Sequence, residues 1–223
     1  MQIKWFRWIP YYTIFMLCIY WIMYARLPIE SPRFDALVLD MDYKRQAWRW
    51  WTYMLLHRDL MHILINSASW GMFAGIVEID NLAHRTMAIH MVSIIGGAAG
   101  VGWESRLVRN DRRVVGASGG IYGLWASQVG NLVLNWPELD LLRRVAYIWI
   151  LVAMMIGDIA STAIHYDANT AYSNHIGGLI TGVFAGGLLM KNKVKLKWER
   201  EYTIASGVCL GVWLLSGCLN LLF

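Results

Sequence analysis

Five strongly polar side chains, His62, Asn66, Ser118, Asp158 and His175, stand in stretches that are otherwise apolar. Such residues are costly inside a membrane and mark function there. In Leu60-Met61-His62-Ile63-Leu64-Ile65-Asn66 the imidazole and the carboxamide are four apart, so on a helix they leave one face a turn apart and form a donor patch. That spacing equally suits a hydrogen bond gluing two helices. Ser118 lies in Gly116-Ala117-Ser118-Gly119-Gly120-Ile121-Tyr122-Gly123, which matches G-x-S-x-G. A nucleophile elbow needs the strand and helix of a soluble sheet, and this chain offers neither. A serine in the first turn of a helix still sits beside unsatisfied N–H groups and the positive dipole end, where an oxyanion is stabilised. Gly119 and Gly123 also form a G-x-x-x-G seam for helix packing.

His175 opens a second seam, His175-Ile176-Gly177-Gly178-Leu179-Ile180-Thr181-Gly182, in which positions 175, 178 and 182 share a face. Two such seams predict helices that nearly touch, bringing the imidazole within reach of Ser118 as its base. Other chemistries lack their residues. His57 and His62 are five apart with no Glu between, about 140° around a helix, so H-E-x-x-H zinc binding is missing. An aspartyl mechanism needs two membrane carboxylates, but Asp167 lies near a loop and Asp158 reads as a structural acid. His90 has no polar companion at helical spacing and reads as a packed histidine. No metal or cofactor is expected.

The elements that must position these groups follow from the charges. Of 223 residues, 57% are hydrophobic and 16% charged, against roughly 25% charged in a soluble domain. The net charge of +5 lies in short clusters between apolar runs and suggests membrane edges rather than nucleic acid. Uncharged windows run over 8–25, 60–77, 86–103, 114–137, 168–190 and 202–223, and a seventh, 145–166, is interrupted only by Asp158. Each suits one crossing of a ~30 Å hydrocarbon core, and none alternates as a barrel strand would. The prediction is an all-α polytopic bundle with seven transmembrane helices, a single membrane domain over 1–223. The first window reads as an anchor rather than a signal peptide, because it is long, rich in Trp and Tyr, and ends without a small-x-small site. Lys and Arg divide ten to ten between the two sides, so charge alone leaves orientation open, with a lean from the Lys191–Arg200 cluster towards a cytosolic N-terminus. Cys18, Cys209 and Cys218 all fall in apolar runs and suggest no disulfide framework.

Taken together, these residues resemble the rhomboid intramembrane serine proteases. Trp48-Arg49 resembles the family's first-loop motif, His57 to Asn66 its second-helix signature, Gly116-Ala117-Ser118-Gly119 its G-x-S-G, and His175-Ile176-Gly177-Gly178 its histidine motif. The resemblance implies Ser118 as nucleophile, His175 as base, His62, Asn66 and the Ser118 N–H as oxyanion hole, and Tyr122 stacked on His175. Gly116, Gly119 and Gly178 would support that arrangement. It further implies a six-helix core over 8–190, an additional helix over 202–223 as in the secretase-type branch, a cytosolic N-terminus, and residence in the secretory pathway or plasma membrane. Substrates would be single-span membrane proteins met in the lipid bilayer, and oligomeric state is left open. The alternative is a non-proteolytic rhomboid-like protein that binds transmembrane segments for trafficking or degradation. Asn174 departs from the family pattern, which places a small residue before the histidine. Either the helices stand further apart there or the side chain turns away to hydrogen-bond elsewhere.

Overall fold

The computed structural model describes residues 9–108, 112–164 and 171–222, with the side chains of 158 and 161–164 left aside. Asp158 as a structural acid and Asp167 therefore lie outside what is described. The chain is a helical bundle. Its long helices are α1 (Tyr11–Arg26), α4 (Leu60–Asn81), α5 (Ala83–Val108), α6 (Ser118–Asn135), α7 (Leu141–Ile164), α8 (Tyr172–Leu189) and α9 (Glu199–Leu222). Two short helices, α2 (Pro32–Asp35) and α3 (Arg49–Thr52), fold within the first loop. One departure from an all-helical chain is a two-residue antiparallel bridge, β1 (Leu39–Asp40) with β2 (Arg113–Val114), which ties that loop to the segment ahead of Ser118. Each uncharged window overlaps one long helix. Among the described residues α4, α5 and α9 are long and apolar enough to cross a membrane.

Helix α8 lies between α5 and α6, and glycines on two of its faces let it do so. A Cβ on Gly178 would overlap the Gly119 carbonyl oxygen, one on Gly182 the Gly123 carbonyl oxygen, and one on Gly177 the Gly96 carbonyl oxygen. Helix α9 packs behind this layer, where Trp213 Nε1 donates to Thr181 Oγ1 at 2.9 Å and Gly217 admits Ala99. Its C-terminal carbonyls accept from Lys44 and Arg45 of the first loop, at 3.2 and 3.1 Å, which suits the negative end of a helix dipole.

Charge marked window edges less well than expected, because Glu78, taken as the end of the second window, is buried within α4. Its carboxyl accepts from the Tyr12 N–H, the Thr13 N–H and the Thr13 hydroxyl, each at 2.8 Å, and so satisfies donors that the first turn of α1 leaves open. His90 completes the junction as a packed histidine, with Tyr12 Oη 2.7 Å from Nδ1 and Tyr20 Oη 3.3 Å from Nε2. Removing the cap strands buried N–H groups. Glu78→Ala is expected to cost about 2–4 kcal/mol, read as a lowered thermal midpoint of the protein in micelles, and an unchanged midpoint would contradict the cap.

Candidate active site

The segment ahead of α6 is shaped glycine by glycine. Gly116 adopts φ 117°, a conformation L side chains rarely take, and a Cβ there would stand 2.7 Å from His62 Nε2. A Cβ on Gly119 would press on the Asn174 amide at 2.6 and 3.0 Å, and one on Gly120 would overlap the His90 ring. Ser118 therefore begins α6 with its backbone against α4 on one side and α8 on the other.

The seams bring His175 Nε2 to 3.0 Å from Ser118 Oγ. Tyr122, one turn on from Ser118, stacks on the His175 ring with centroids 4.2 Å apart and 12° between planes, while Tyr172 stands edge-on at 6.3 Å and 82°. Two aromatic rings thus fix the imidazole plane that faces the serine. Across the gap, His62 Nδ1 accepts from the Arg58 N–H at 3.3 Å. In the neutral ring that leaves the proton on Nε2, the atom beside Gly116. Asn66 is buried, and its Nδ2 has no hydrogen-bond partner among the described residues. A Cβ on Gly116 would lie 3.5 Å from that Nδ2, so the amide is turned to the same backbone as His62. His62 Nε2, Asn66 Nδ2 and the N–H groups of the first α6 turn form one cluster of donors. A cavity of about 810 Å³, lined among others by His62, Asn66, Ser118, Tyr122, Asn174 and His175, holds the whole set. Among the described residues no three His, Cys, Asp or Glu side chains group as a metal site.

The other sequence motifs have structural places. Arg49 is buried and donates to the carbonyl of Val38 at 2.7 Å and to Gln46 Oε1 at 2.7 Å, and Trp48 Nε1 donates to the Ala36 carbonyl at 3.0 Å. Trp48-Arg49 thus gathers the turns of the first loop around itself. Asn174 turns away from the Ser118–His175 contact, and its Oδ1 accepts from the Tyr53 hydroxyl at 2.8 Å. Two residues escaped the sequence reading. Tyr53 belongs to no motif, and His57 opens the second-helix signature without a role of its own; in the structure His57 is buried edge-on to Tyr20 and His62, at 5.6 and 5.2 Å.

A family model described as "Rhomboid domain" matches residues 44–192, which include every residue lining the cavity. Rhomboid-related protein 3 of Homo sapiens is 25% identical over 176 residues, covering 74% of this chain and 43% of that protein. Rhomboid-related protein 1 of Caenorhabditis elegans is 28% identical over 168 residues, 74% of this chain and 45% of that protein. RHOMBOID-like protein 7 of Arabidopsis thaliana is 31% identical over 159 residues, 71% of this chain and 48% of that protein. The chain spans less than half the length of each of these relatives.

His57, in the loop before α4, gives the site a pH signature. Burial, and then the charge on neighbouring His62, push its imidazole down to about 3 from 6.5. Below pH 6.5 the unfolded chain takes up a proton that folded His57 refuses until about pH 3, so folding loses stability as pH falls through that window. Asp59, held low by the His62 N–H and by Arg58, adds its own loss only below about 3.8. The thermal midpoint is expected to fall between pH 6.5 and 4, with a shallower slope in His57→Phe; identical slopes would refute this role.

Proposed function

Since the chain belongs to the rhomboid family, we propose that it is a serine endopeptidase that cuts single-span membrane proteins in or near their transmembrane segment. The observation that carries this reading is the 3.0 Å approach of His175 Nε2 to Ser118 Oγ, opposite a donor cluster in which the buried Asn66 Nδ2 has no partner among the described residues. Ser118 Oγ attacks the scissile carbonyl carbon while His175 Nε2 takes its proton. The oxyanion that forms accepts from the Ser118 N–H, Asn66 Nδ2 and His62 Nε2, and the positive end of α6 lies behind it. The tetrahedral intermediate collapses as His175 returns the proton to the leaving amine. Water, activated by the same imidazole, then hydrolyses the acyl-enzyme. Tyr122 holds the ring plane through both halves of the cycle.

The supporting elements fit a membrane protein that lets water reach this site. Irregular backbone at membrane depth is tolerated where it is walled by protein or lines a wet cavity, and the segment ahead of Ser118 is such a place. Seven helices, α1 and α4 to α9, would then span the bilayer, with a six-helix core over 8–190 and α9 as the added helix. The N-terminus lies in the cytosol, and the protein resides in the secretory pathway or plasma membrane. The cavity is walled by Met61 and Ile65 on α4 and by Met154 and Gly157 on α7, so a substrate helix reaches Ser118 between those two helices.

The test is cleavage of a fluorogenic transmembrane substrate by purified protein in liposomes. Ser118→Ala and His175→Ala are each expected to lose ~1000-fold or more while the protein stays folded. A folded wild type that binds a panel of helix-weakened substrates without cutting them, its Ser118 unlabelled by a fluorophosphonate, would instead favour the non-proteolytic binding protein.

A further inference from the structure

Tyr53 bonds to the segments that lead into both Ser118 and His175, although it belongs to neither helix that carries them. It lies in a single 3₁₀ turn, Tyr53–Leu55, that closes the first loop, and it is fully buried. Its backbone carbonyl accepts from the Gly116 N–H at 2.9 Å, two residues ahead of Ser118. Its hydroxyl stands 2.8 Å from Asn174 Oδ1, one residue ahead of His175, and 2.8 Å from the Ile94 carbonyl of α5. Asn174 in turn fills a notch left by two glycines. A Cβ on Gly97 of α5 would overlap its Oδ1, and one on Gly119 of α6 would press on the same amide. The carboxamide is therefore wedged where α5, α6 and α8 meet, and among the described residues its side-chain hydrogen bond runs to the first loop.

We propose that Tyr53 and Asn174 form a positioning clamp that sets the distance between Ser118 and His175, an inference that rests on the protease reading above. The clamp has two arms of known length from one rigid residue. The carbonyl arm holds the glycine whose left-handed turn aims Ser118, and the hydroxyl arm holds the first turn of α8, from which His175 projects. Neither atom of Tyr53 touches substrate, so its effect is on the geometry of proton transfer and not on binding. Phenylalanine keeps the ring and the carbonyl arm but gives up the one proton that Asn174 Oδ1 on α8 and the Ile94 carbonyl on α5 share, so α8 can shift by the slack of a hydrogen bond. A shift of that order between nucleophile and base is enough to slow the chemical step by about tenfold or more. Burial pushes the pKa of this phenol up and so disfavours its ionisation, which keeps it a donor throughout the working range. The bulky residue at position 174, where a small one is the family habit, thereby has a partner made for it.

The experiment is a double-mutant cycle of Tyr53→Phe and Asn174→Ala in liposomes, reading kcat and KM on a transmembrane substrate, the rate of Ser118 labelling by a fluorophosphonate, and the thermal midpoint. The clamp predicts that each single variant lowers kcat and labelling by about tenfold with KM little changed, and that the double variant is no slower than the slower single one. A merely structural pair would instead move the midpoint, raise KM, or give losses that multiply. Tyr53→Phe with wild-type kcat and labelling, in a preparation where wild type cleaves, overturns the clamp alone. If Asn174→Ala unfolds, Tyr53→Phe still decides through its kcat and labelling rate. A folded wild type that neither cleaves nor labels overturns the protease reading, and the clamp with it.

Discussion

The approach of α6 to α8 at backbone distance is the constraint on which the rest of the molecule depends. Between two apolar helices in lipid there is no hydrophobic drive to associate, so contact comes from close packing and from hydrogen bonds. Here Gly178 meets the Gly119 carbonyl, Gly182 the Gly123 carbonyl and Gly186 the Ser127 carbonyl, a run of three points along one line. A Cβ at the first of these would overlap the Gly119 oxygen and would thrust the top of α8 outward until the two reached ordinary contact, and His175 would lose Ser118 first, since both lie at that end. The serine and the histidine are therefore not adjacent by virtue of their own bond. They are adjacent because the helices below them cannot stand further apart without opening a void.

A contact so tight leaves no room for error in the segments above it, and the first loop is built accordingly. Arg49 and Trp48 gather its carbonyls, Tyr53 reaches into the bundle, and the short β1–β2 bridge fixes the strand that leads to Gly116. On the opposite end of α6 and α8 a comparable tie exists: Asn135 donates to the Lys191 carbonyl at 2.9 Å and accepts from the Lys193 N–H at 2.7 Å, and Asn81 accepts from the Lys191 N–H at 2.6 Å. Polar side chains at both ends thus hold the central helices in register, and the glycines hold them in contact.

Much of this was legible in the sequence because the responsible signals were local. A gap in charge betrays a helix, and G-x-x-x-G betrays a seam. The offset of four between His62 and Asn66, and again between Ser118 and Tyr122, betrays a shared face. What stayed hidden is whatever depends on a partner far away in the chain. Glu78 looked like the edge of a span because a carboxyl is normally expelled from one, and only the open N–H groups of α1, 65 and 66 residues distant, explain its burial. Tyr53 has Arg49 and His57 four residues to either side, but neither is its partner: its carbonyl and hydroxyl bond to residues 41, 63 and 121 positions away. The reading of Asn174 narrowed the answer to two outcomes but could not choose, because Gly97 becomes a notch only when α5 is laid against α8.

The stiffness of this centre has a counterpart in α7. That helix meets the core through Ile150, Leu151 and Met154, while Val145, Ile148, Trp149, Met155, Ile156 and Ile159 remain exposed. No glycine seam holds it: Gly157 faces open space, where a Cβ would meet nothing within 4 Å. Helices packed by interlocking backbone resist displacement, whereas α7 is held by side chains along one stripe and by the Tyr147 hydroxyl, which donates to Asp80 at 2.7 Å. Gly157 and Met154 are also where α7 lines the cavity, so the wall beside Ser118 is built on a helix without a glycine seam. On the proposed reading, a site that admits another protein's helix, unwinds part of it and keeps its own serine and histidine aligned would need this division. The Ser118–His175 pair sits on helices joined by glycine seams, and the α7 wall of the cavity on one joined by side chains.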